Sequence, residues 1–239
     1  MKKRMGRSFL LASLVSLLLV ASITLYVHRV DNTVNQEDER FLAIILDDNG
    51  QPPRTFADLA AEIKYIRKVQ TSVFAASKGQ DAIPFGHPRE PRDLVERNTG
   101  WCFDKSRVIE KALRRAGFQT RHISLYEQTS EIPGKELLIP GARSHALTEV
   151  ETSGGWLVVD SLDPWISLNA TGTPVSIAQM QSAATANAIT WHPEFKPFMN
   201  DIYQSPFIYV FGLYSRHGKF YPPYTPIPDL HYGELLANF

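Results

Sequence analysis

The order of sequence patterns between residues 103 and 160 most constrains the fold. Residues 103–116 carry apolar side chains at helical spacing, and Gly117 follows at a position typical of a helix C-terminus. Three runs with the composition of β-strands come next, at residues 120–126, 145–151 and 156–160. A helix followed by strands in this order predicts an α+β fold, with the helix packed on an antiparallel sheet.

The second and third strand candidates are separated by Thr-Ser-Gly-Gly at residues 152–155, which predicts a β-hairpin. In a hairpin, the first residue of one strand lies near the last residue of its partner. His145 and Asp160 occupy these two positions. We therefore expect their side chains to lie side by side at the open end of the hairpin.

Cys102 is the chain's single cysteine, so an internal disulfide and a multi-cysteine metal site are excluded. It stands at the start of the predicted helix, where unpaired backbone N–H groups and the helix dipole favour a thiolate. The same N–H groups can stabilise an oxyanion. A thiolate nucleophile needs a base and a group that orients the base, and His145 and Asp160 suit these roles. His122 is a weaker candidate base, because no turn places an acid beside it.

These motifs resemble the core of the transglutaminase-like superfamily. The similar segments are Gly-Trp-Cys at a helix start, Ser-His-Ala-Leu-Thr-Glu-Val opening a strand, and Gly-Trp-Leu-Val-Val-Asp ending the next, within residues 97–164. The resemblance implies a papain-like core with Cys102 as nucleophile, His145 as general base and acid, and Asp160 as orienting residue. Leu147 departs from the aromatic residue that many members carry two positions after the histidine, which bears on substrate choice. The sequence around Cys102 is also similar to the arylamine N-acetyltransferases.

The N-terminus carries an uncharged run at residues 8–27, preceded by four basic residues within residues 1–7. At about 1.5 Å per residue, this run predicts a helix long enough for a hydrocarbon core of about 30 Å. The basic cluster predicts a cytoplasmic tail at 1–7 and a periplasmic or extracellular remainder, as in a single-pass membrane protein. A cleaved signal peptide is the alternative, but apolar residues 25–27 follow its candidate cleavage site.

The remaining chain is predicted to comprise a polar linker at 28–40, a core at 41–165 and a C-terminal segment at 166–239. A helix is expected at residues 56–74, with Thr55 as its N-cap. The C-terminal segment has nine aromatic residues between positions 203 and 232, and its prolines exclude long regular elements there. We expect it to wrap around the core as part of the same domain.

Charge and histidine placement bear on the partners. The chain has 25 Lys and Arg against 25 Asp and Glu, a balance that argues against a nucleic-acid-binding protein. Neither a cofactor nor a metal is predicted, because His192, His217 and His231 lack metal-ligand spacing. Residues 47–50 favour a turn over a calcium loop. The family resemblance implies a peptide or protein substrate.

The sequence thus predicts a membrane-anchored, exported thiol enzyme that forms a thioester at Cys102. The acyl group then passes to water, as in a cysteine protease or amidase, or to an amine, as in a transglutaminase-type acyltransferase. The alternative is a non-catalytic scaffold or binding component of a cell-envelope assembly that uses the same fold. More than half of the predicted exported chain lies outside the candidate catalytic motifs, which keeps this alternative open.

Overall fold

The computed structural model describes residues 2–79, 81–132, 134–184, 189–194, 200–225 and 227–239. The helices are α1 (Lys2–Val27), α2 (Gln36–Leu46), α3 (Leu59–Ala76), α4 (Pro91–Arg97), α5 (Cys102–Arg115), α6 (Ile177–Ala184), α7 (Asn200–Gln204) and α8 (Tyr232–Leu235). The strands are β1 (Thr120–Glu127), β2 (Ser144–Thr152), β3 (Gly155–Val159), β4 (Phe207–Phe211), β5 (Leu213–Tyr214) and β6 (Asp229–Leu230).

The main sheet has four antiparallel strands in the order β3-β2-β1-β4. β2 and β3 form the predicted hairpin, with Thr152 opposite Gly155 across the turn. On the other side of β2, His145 lies opposite Leu125 of β1. Strands β5 and β6 form a separate small sheet. The predicted α+β fold with an antiparallel sheet is confirmed.

Helix α5 packs on β1 and β2 through the apolar face that the sequence predicts. Val108, Ile109 and Ala112 on this face are fully buried, and burying a large aliphatic side chain contributes about 1.5–3 kcal/mol. The helix ends before Gly117, whose φ is +94°. Glycine adopts this left-handed conformation without a steric penalty.

The charged face of α5 is buried as well, beneath α2 and the segment that precedes α4. Lys111 lies 2.6 Å from the carboxylate of Asp38, and Arg115 lies 2.6 Å from that of Asp48. Buried charges are tolerated only when they are paired in this way. Helix α5 is therefore a central element, enclosed on both its apolar and its charged faces.

Helix α3 begins three residues later than the sequence predicts. The side chain of Asp58, rather than that of Thr55, caps it by accepting the backbone N–H of Ala61 at 2.8 Å. Both residue types are good N-caps, so propensity alone does not choose between them.

The predicted membrane anchor is contradicted. Although α1 spans Lys2–Val27, the part of the chain that the structure describes contains no helix long and apolar enough to cross a membrane. The transmembrane part of the predicted fold class at 8–27, and the single-pass location derived from it, are therefore not retained.

The C-terminal segment contributes more regular structure than its proline content suggests. Strand β4 joins the main sheet through β1, with Phe211 opposite Ile123. The chain later returns to the N-terminal segment, where Val30 and Leu230 are joined by a backbone hydrogen bond of 2.9 Å. The prolines at positions 206 and 222 lie outside β4, so they do not interrupt its pairing.

Replacing Ile123 with alanine tests the packing of the sheet. Ile123 is fully buried in the core, so we expect Ile123→Ala to lower the free energy of unfolding by about 2–5 kcal/mol. Ile132→Ala is the matched control, because Ile132 is 65% exposed, and its effect is expected to stay within about 0.5 kcal/mol. Urea unfolding followed by circular dichroism measures both, and equal effects would contradict the placement of Ile123.

Candidate active site

Cys102 is the first residue of α5 and is only 3% exposed. The chain enters the helix through Gly100, where a Cβ atom would lie 2.6 Å from Leu94 Cδ1. The glycine thus allows the residues before Cys102 to pass close to α4. As the first helical residue, Cys102 has a backbone N–H with no acceptor inside the helix.

A buried ion pair fixes the start of α5. The carboxylate of Asp104 accepts the backbone N–H groups of Trp101 at 2.8 Å and Ile83 at 3.1 Å, and it pairs with the guanidinium of Arg89. Burial raises the pKa of Asp104, and Arg89 opposes that shift. Sequence reasoning missed Asp104, although an acidic residue at the third helical position is a common capping signal.

The hairpin brings His145 and Asp160 together, as the position of its turn predicts. His145 is the second residue of β2, and Asp160 directly follows β3. His145 Nε2 lies 3.1 Å from Asp160 Oδ1, and both side chains are buried. The catalytic roles of these residues stay a prediction.

Four donors surround the carboxylate of Asp160. Besides His145, its Oδ1 accepts the backbone N–H groups of Leu162 at 2.7 Å and Asp163 at 3.0 Å. Its Oδ2 accepts the hydroxyl of Tyr203 in α7. Burial alone would raise the pKa of Asp160, but these charge and hydrogen-bond interactions hold it below its ordinary value. Sequence reasoning missed Tyr203, which lies outside the recognised motifs and carries no local signal.

Gln70 of α3 holds the turn that follows Asp160. Its side-chain nitrogen donates to the backbone carbonyls of Asp160 and Trp165, both at 2.8 Å. This residue was also missed, although the sequence contains a signal: Gln70 is a polar side chain on the apolar helical face that carries Ile66 and Val73.

The three candidate residues are linked electrostatically. Burial lowers the pKa of His145, but the charge and hydrogen bond of Asp160, together with a hydrogen bond to Cys102, raise it to about 10. Because Nε2 of His145 faces Asp160, Nδ1 is the ring nitrogen left for Cys102. The arrangement can hold a proton on the imidazole next to the thiol.

His122, the weaker candidate base, lies in a different environment. Its ring stacks on that of Tyr214, with centroids 4.1 Å apart, and its Nδ1 lies 3.3 Å from Ser106 Oγ. Burial is the main cause that lowers its pKa to about 4. A base in this position is enclosed on the charged side of α5 and has no described contact with Cys102.

Aromatic residues of the C-terminal segment cover Cys102. The buried residues that cluster with it are Phe103, Tyr126, Ala146, Leu213 and Phe220. Tyr221 packs against this cluster, and burial, followed by the charge of Cys102, raises its pKa. The candidate site is thus bounded by α5, the sheet and the C-terminal segment.

Outside this site, His28, His217 and Asp229 form a group that could hold a metal ion. The sequence predicts no metal site, because the spacing of His217 to other histidines is not that of a metal motif. The fold brings the three residues together from two ends of the chain.

Titration of His145 tests the electrostatics of the site. We expect it to stay protonated through neutral pH and to titrate near pH 10, because its pKa is raised to about 10. Its unfolded-state pKa is about 6.5, so the pair's contribution to stability is complete below that pH and is lost as pH rises through about 10. NMR of the histidine side chains measures this transition.

Asp160→Asn removes the partner charge and is expected to move the His145 transition to lower pH. Asp47→Asn is the matched control, since Asp47 is exposed at the end of α2 in the left-handed conformation that asparagine tolerates. A transition near pH 6.5 in the wild-type protein, or one that Asp160→Asn leaves in place, would contradict the assigned ion pair.

Comparison with curated proteins finds no match. Among solved structures, the chain is similar to a candidate protease from Parabacteroides distasonis ATCC 8503, with 11% identity and a TM-score of 0.37, over 60% of this chain and 28% of that one. It is also similar to a chain of the Rad4–Rad23 complex bound to a 6-4 photoproduct UV lesion, with 11% identity and a TM-score of 0.35, over 68% and 42%. The chain thus spans less than half of either solved chain, and scores this low assign neither fold nor function.

A family model, described as the transglutaminase-like superfamily, matches residues 53–161. The matched segment contains Cys102, His145 and Asp160, and it ends before α7 and β4. It extends further towards the N-terminus than the motifs at 97–164 and includes α3, which supports the turn after Asp160. Residues 53–161, a little under half of the chain, are therefore similar to the transglutaminase-like superfamily.

Proposed function

We propose that this protein is a thiol enzyme that transfers or hydrolyses an acyl group through a thioester at Cys102. The proposal is carried by one observation: His145 lies 3.1 Å from Asp160 and close enough to Cys102 for the thiol to raise the pKa of the imidazole. In this assignment Cys102 is the nucleophile, His145 the general base and acid, and Asp160 the residue that orients the imidazole. A thiol, a base and an orienting carboxylate in series are what nucleophilic catalysis at a carbonyl requires.

The reaction begins with attack of Cys102 Sγ on an amide or ester carbonyl carbon. A carbon–sulfur bond forms, and the carbonyl electron pair moves to the oxygen, where N–H groups at the start of α5 stabilise it. The carbon–nitrogen or carbon–oxygen bond then breaks, and the leaving group takes a proton from His145. Water or an amine next attacks the thioester and gives a proton to His145, and Cys102 departs as thiolate.

The electrostatics of the site support this cycle. With a pKa of about 10, His145 is protonated at neutral pH and can supply the leaving group with a proton. The imidazolium also favours a thiolate on the neighbouring Cys102. Asp160 remains ionised because its pKa is held below its ordinary value.

The match of residues 53–161 to the superfamily model supports a peptide or protein substrate. Passage of the acyl group to water makes the protein a cysteine protease or amidase, and passage to an amine makes it a transglutaminase-type acyltransferase. Adding a primary amine to the reaction distinguishes these outcomes. Its incorporation into the product identifies transfer, and release of a free acid alone identifies hydrolysis.

The burial of Cys102 favours a second candidate, a scaffold or binding protein with an idle site. The thiol is 3% exposed, and Phe220 is buried in the same apolar cluster. A permanently closed cover prevents a macromolecular substrate from reaching the sulfur. Reactivity of the thiol in the folded protein therefore separates the two candidates.

Alkylation of Cys102 by iodoacetamide, followed by mass spectrometry, measures this reactivity. We expect the folded wild-type protein to react at pH 7, and His145→Ala to react more slowly by on the order of tenfold, because an unassisted thiol is only a few per cent thiolate at this pH. His87→Ala is the matched control, since His87 is partly exposed and lies beside Arg97, outside the site. The control is expected to react at the wild-type rate.

Two results would count against the enzyme. One is a folded protein whose Cys102 stays unmodified while the urea-unfolded protein is fully alkylated. The other is an equal rate in the wild type and His145→Ala, which shows that the imidazole does not activate the thiol. Either result favours the scaffold or binding protein.

A further inference from the structure

Three side chains with metal-binding chemistry meet outside the Cys102 site. His28 directly follows α1, His217 lies in the loop after β5, and Asp229 begins β6. Their candidate ligand atoms all lie within 4.8 Å of one another. His28 lies 189 positions before His217 (217 − 28), so no local sequence motif could indicate this cluster.

The separations of the ligand atoms fit a small divalent ion. Asp229 Oδ1 lies 3.5 Å from His28 Nδ1 and 2.7 Å from His217 Nδ1. Bonds of about 2.0–2.1 Å in a tetrahedral zinc site place neighbouring ligand atoms about 3.4 Å apart. The first separation already matches, and the second matches once the hydrogen bond between His217 and Asp229 opens by about 0.7 Å to admit the ion.

The carboxylate of Asp229 is held ready for such a role. It is fully buried, and its Oδ2 accepts the backbone N–H groups of His217 at 2.7 Å and Arg216 at 3.2 Å. These bonds direct Oδ1 towards both imidazoles. Hydrogen bonds of this kind orient carboxylate ligands in metal sites.

His28 provides the second, independent observation. Its Nδ1 is buried, and within the described part of the chain it has no hydrogen-bond partner. A buried polar atom left unpaired costs about 1–3 kcal/mol. A hydrogen bond between His217 and Asp229 accounts for those two residues, whereas His28 Nδ1 lies 3.5 Å from Asp229 Oδ1 without a hydrogen bond, and a metal ion between the two atoms would satisfy it.

We propose that His28, His217 and Asp229 bind one divalent transition-metal ion, with Zn²⁺ as the best match. Two imidazole nitrogens and one carboxylate oxygen form a ligand set that Zn²⁺ favours, and the fourth position is left for water. The negative charge of Asp229 offsets part of the charge of the ion.

The site joins two distant parts of the chain. Next to it, the backbone N–H of Leu230 donates to the carbonyl of His28 at 2.8 Å. His217 and Asp229 lie at the two ends of a loop that carries Phe220 and Tyr221 over Cys102. A bound ion thus clamps the base of this covering loop to the segment after α1. Metal binding itself does not depend on the proposed catalytic function.

Zinc binding is tested in the full chain carrying Cys102→Ser, which removes the thiolate that would compete for the ion. Isothermal titration with Zn²⁺ is expected to give one site per chain. Adding His28→Ala or His217→Ala is expected to weaken Zn²⁺ binding by more than about tenfold. Mutating residues that only hydrogen-bond to metal ligands already lowers metal affinity by about that factor. Adding His87→Ala, the control, is expected to leave binding unchanged. Zn²⁺ should also raise the melting temperature only where the site is intact.

Absence of saturable Zn²⁺ binding, or binding of equal strength after His28→Ala and His217→Ala, overturns the proposal. Circular dichroism checks that each variant is folded. If His217→Ala is unfolded, His28→Gln and the visible spectrum of Co²⁺ added to the Cys102→Ser protein decide. Bands of a four- or five-coordinate ion that disappear with His28→Gln support the site, and the spectrum of free aqueous Co²⁺ overturns it.

Discussion

The buried charge of Asp160 is the constraint on which the architecture of the candidate site depends. A carboxylate without solvent is costly unless donors surround it. The donors come from His145 in β2, from the backbone at residues 162–163 and from Tyr203 in α7. Gln70 in α3 holds the carbonyls of the same turn. The sheet, the turn and two helices thus converge on one carboxylate. Tyr203 lies beyond residues 53–161, the segment that the family model matches.

The sequence predicts those features that depend on short stretches of chain. The start of α5 at Cys102 follows from helical periodicity, and the meeting of His145 with Asp160 follows from a four-residue turn. Tyr203 and the pairing of β4 with β1 were missed because they depend on contacts between distant segments, which no local pattern encodes. The predicted anchor at 8–27 relied on an uncharged run and the basic residues before it, and no helix in the described part of the chain is long and apolar enough to cross a membrane.

One loop of the C-terminal segment both covers the candidate site and contacts the segment that follows α1. Phe220 and Tyr221 pack over the apolar cluster around Cys102, and the loop that carries them is closed by the contact between His217 and Asp229. His28 meets the same two residues from the N-terminal side. The loop that covers the thiol is therefore in contact, at its base, with the segment that follows α1.

The central claim is that Cys102 is an activated nucleophile, and trapping an acyl-enzyme tests it most directly. The wild-type protein is incubated with p-nitrophenyl acetate, quenched in acid and examined by intact-mass spectrometry and peptide mapping. The account predicts a mass increase of one acetyl group, located on Cys102, lost in Cys102→Ala and strongly reduced in His145→Ala. No adduct on Cys102, or the same amount with and without His145, would contradict it.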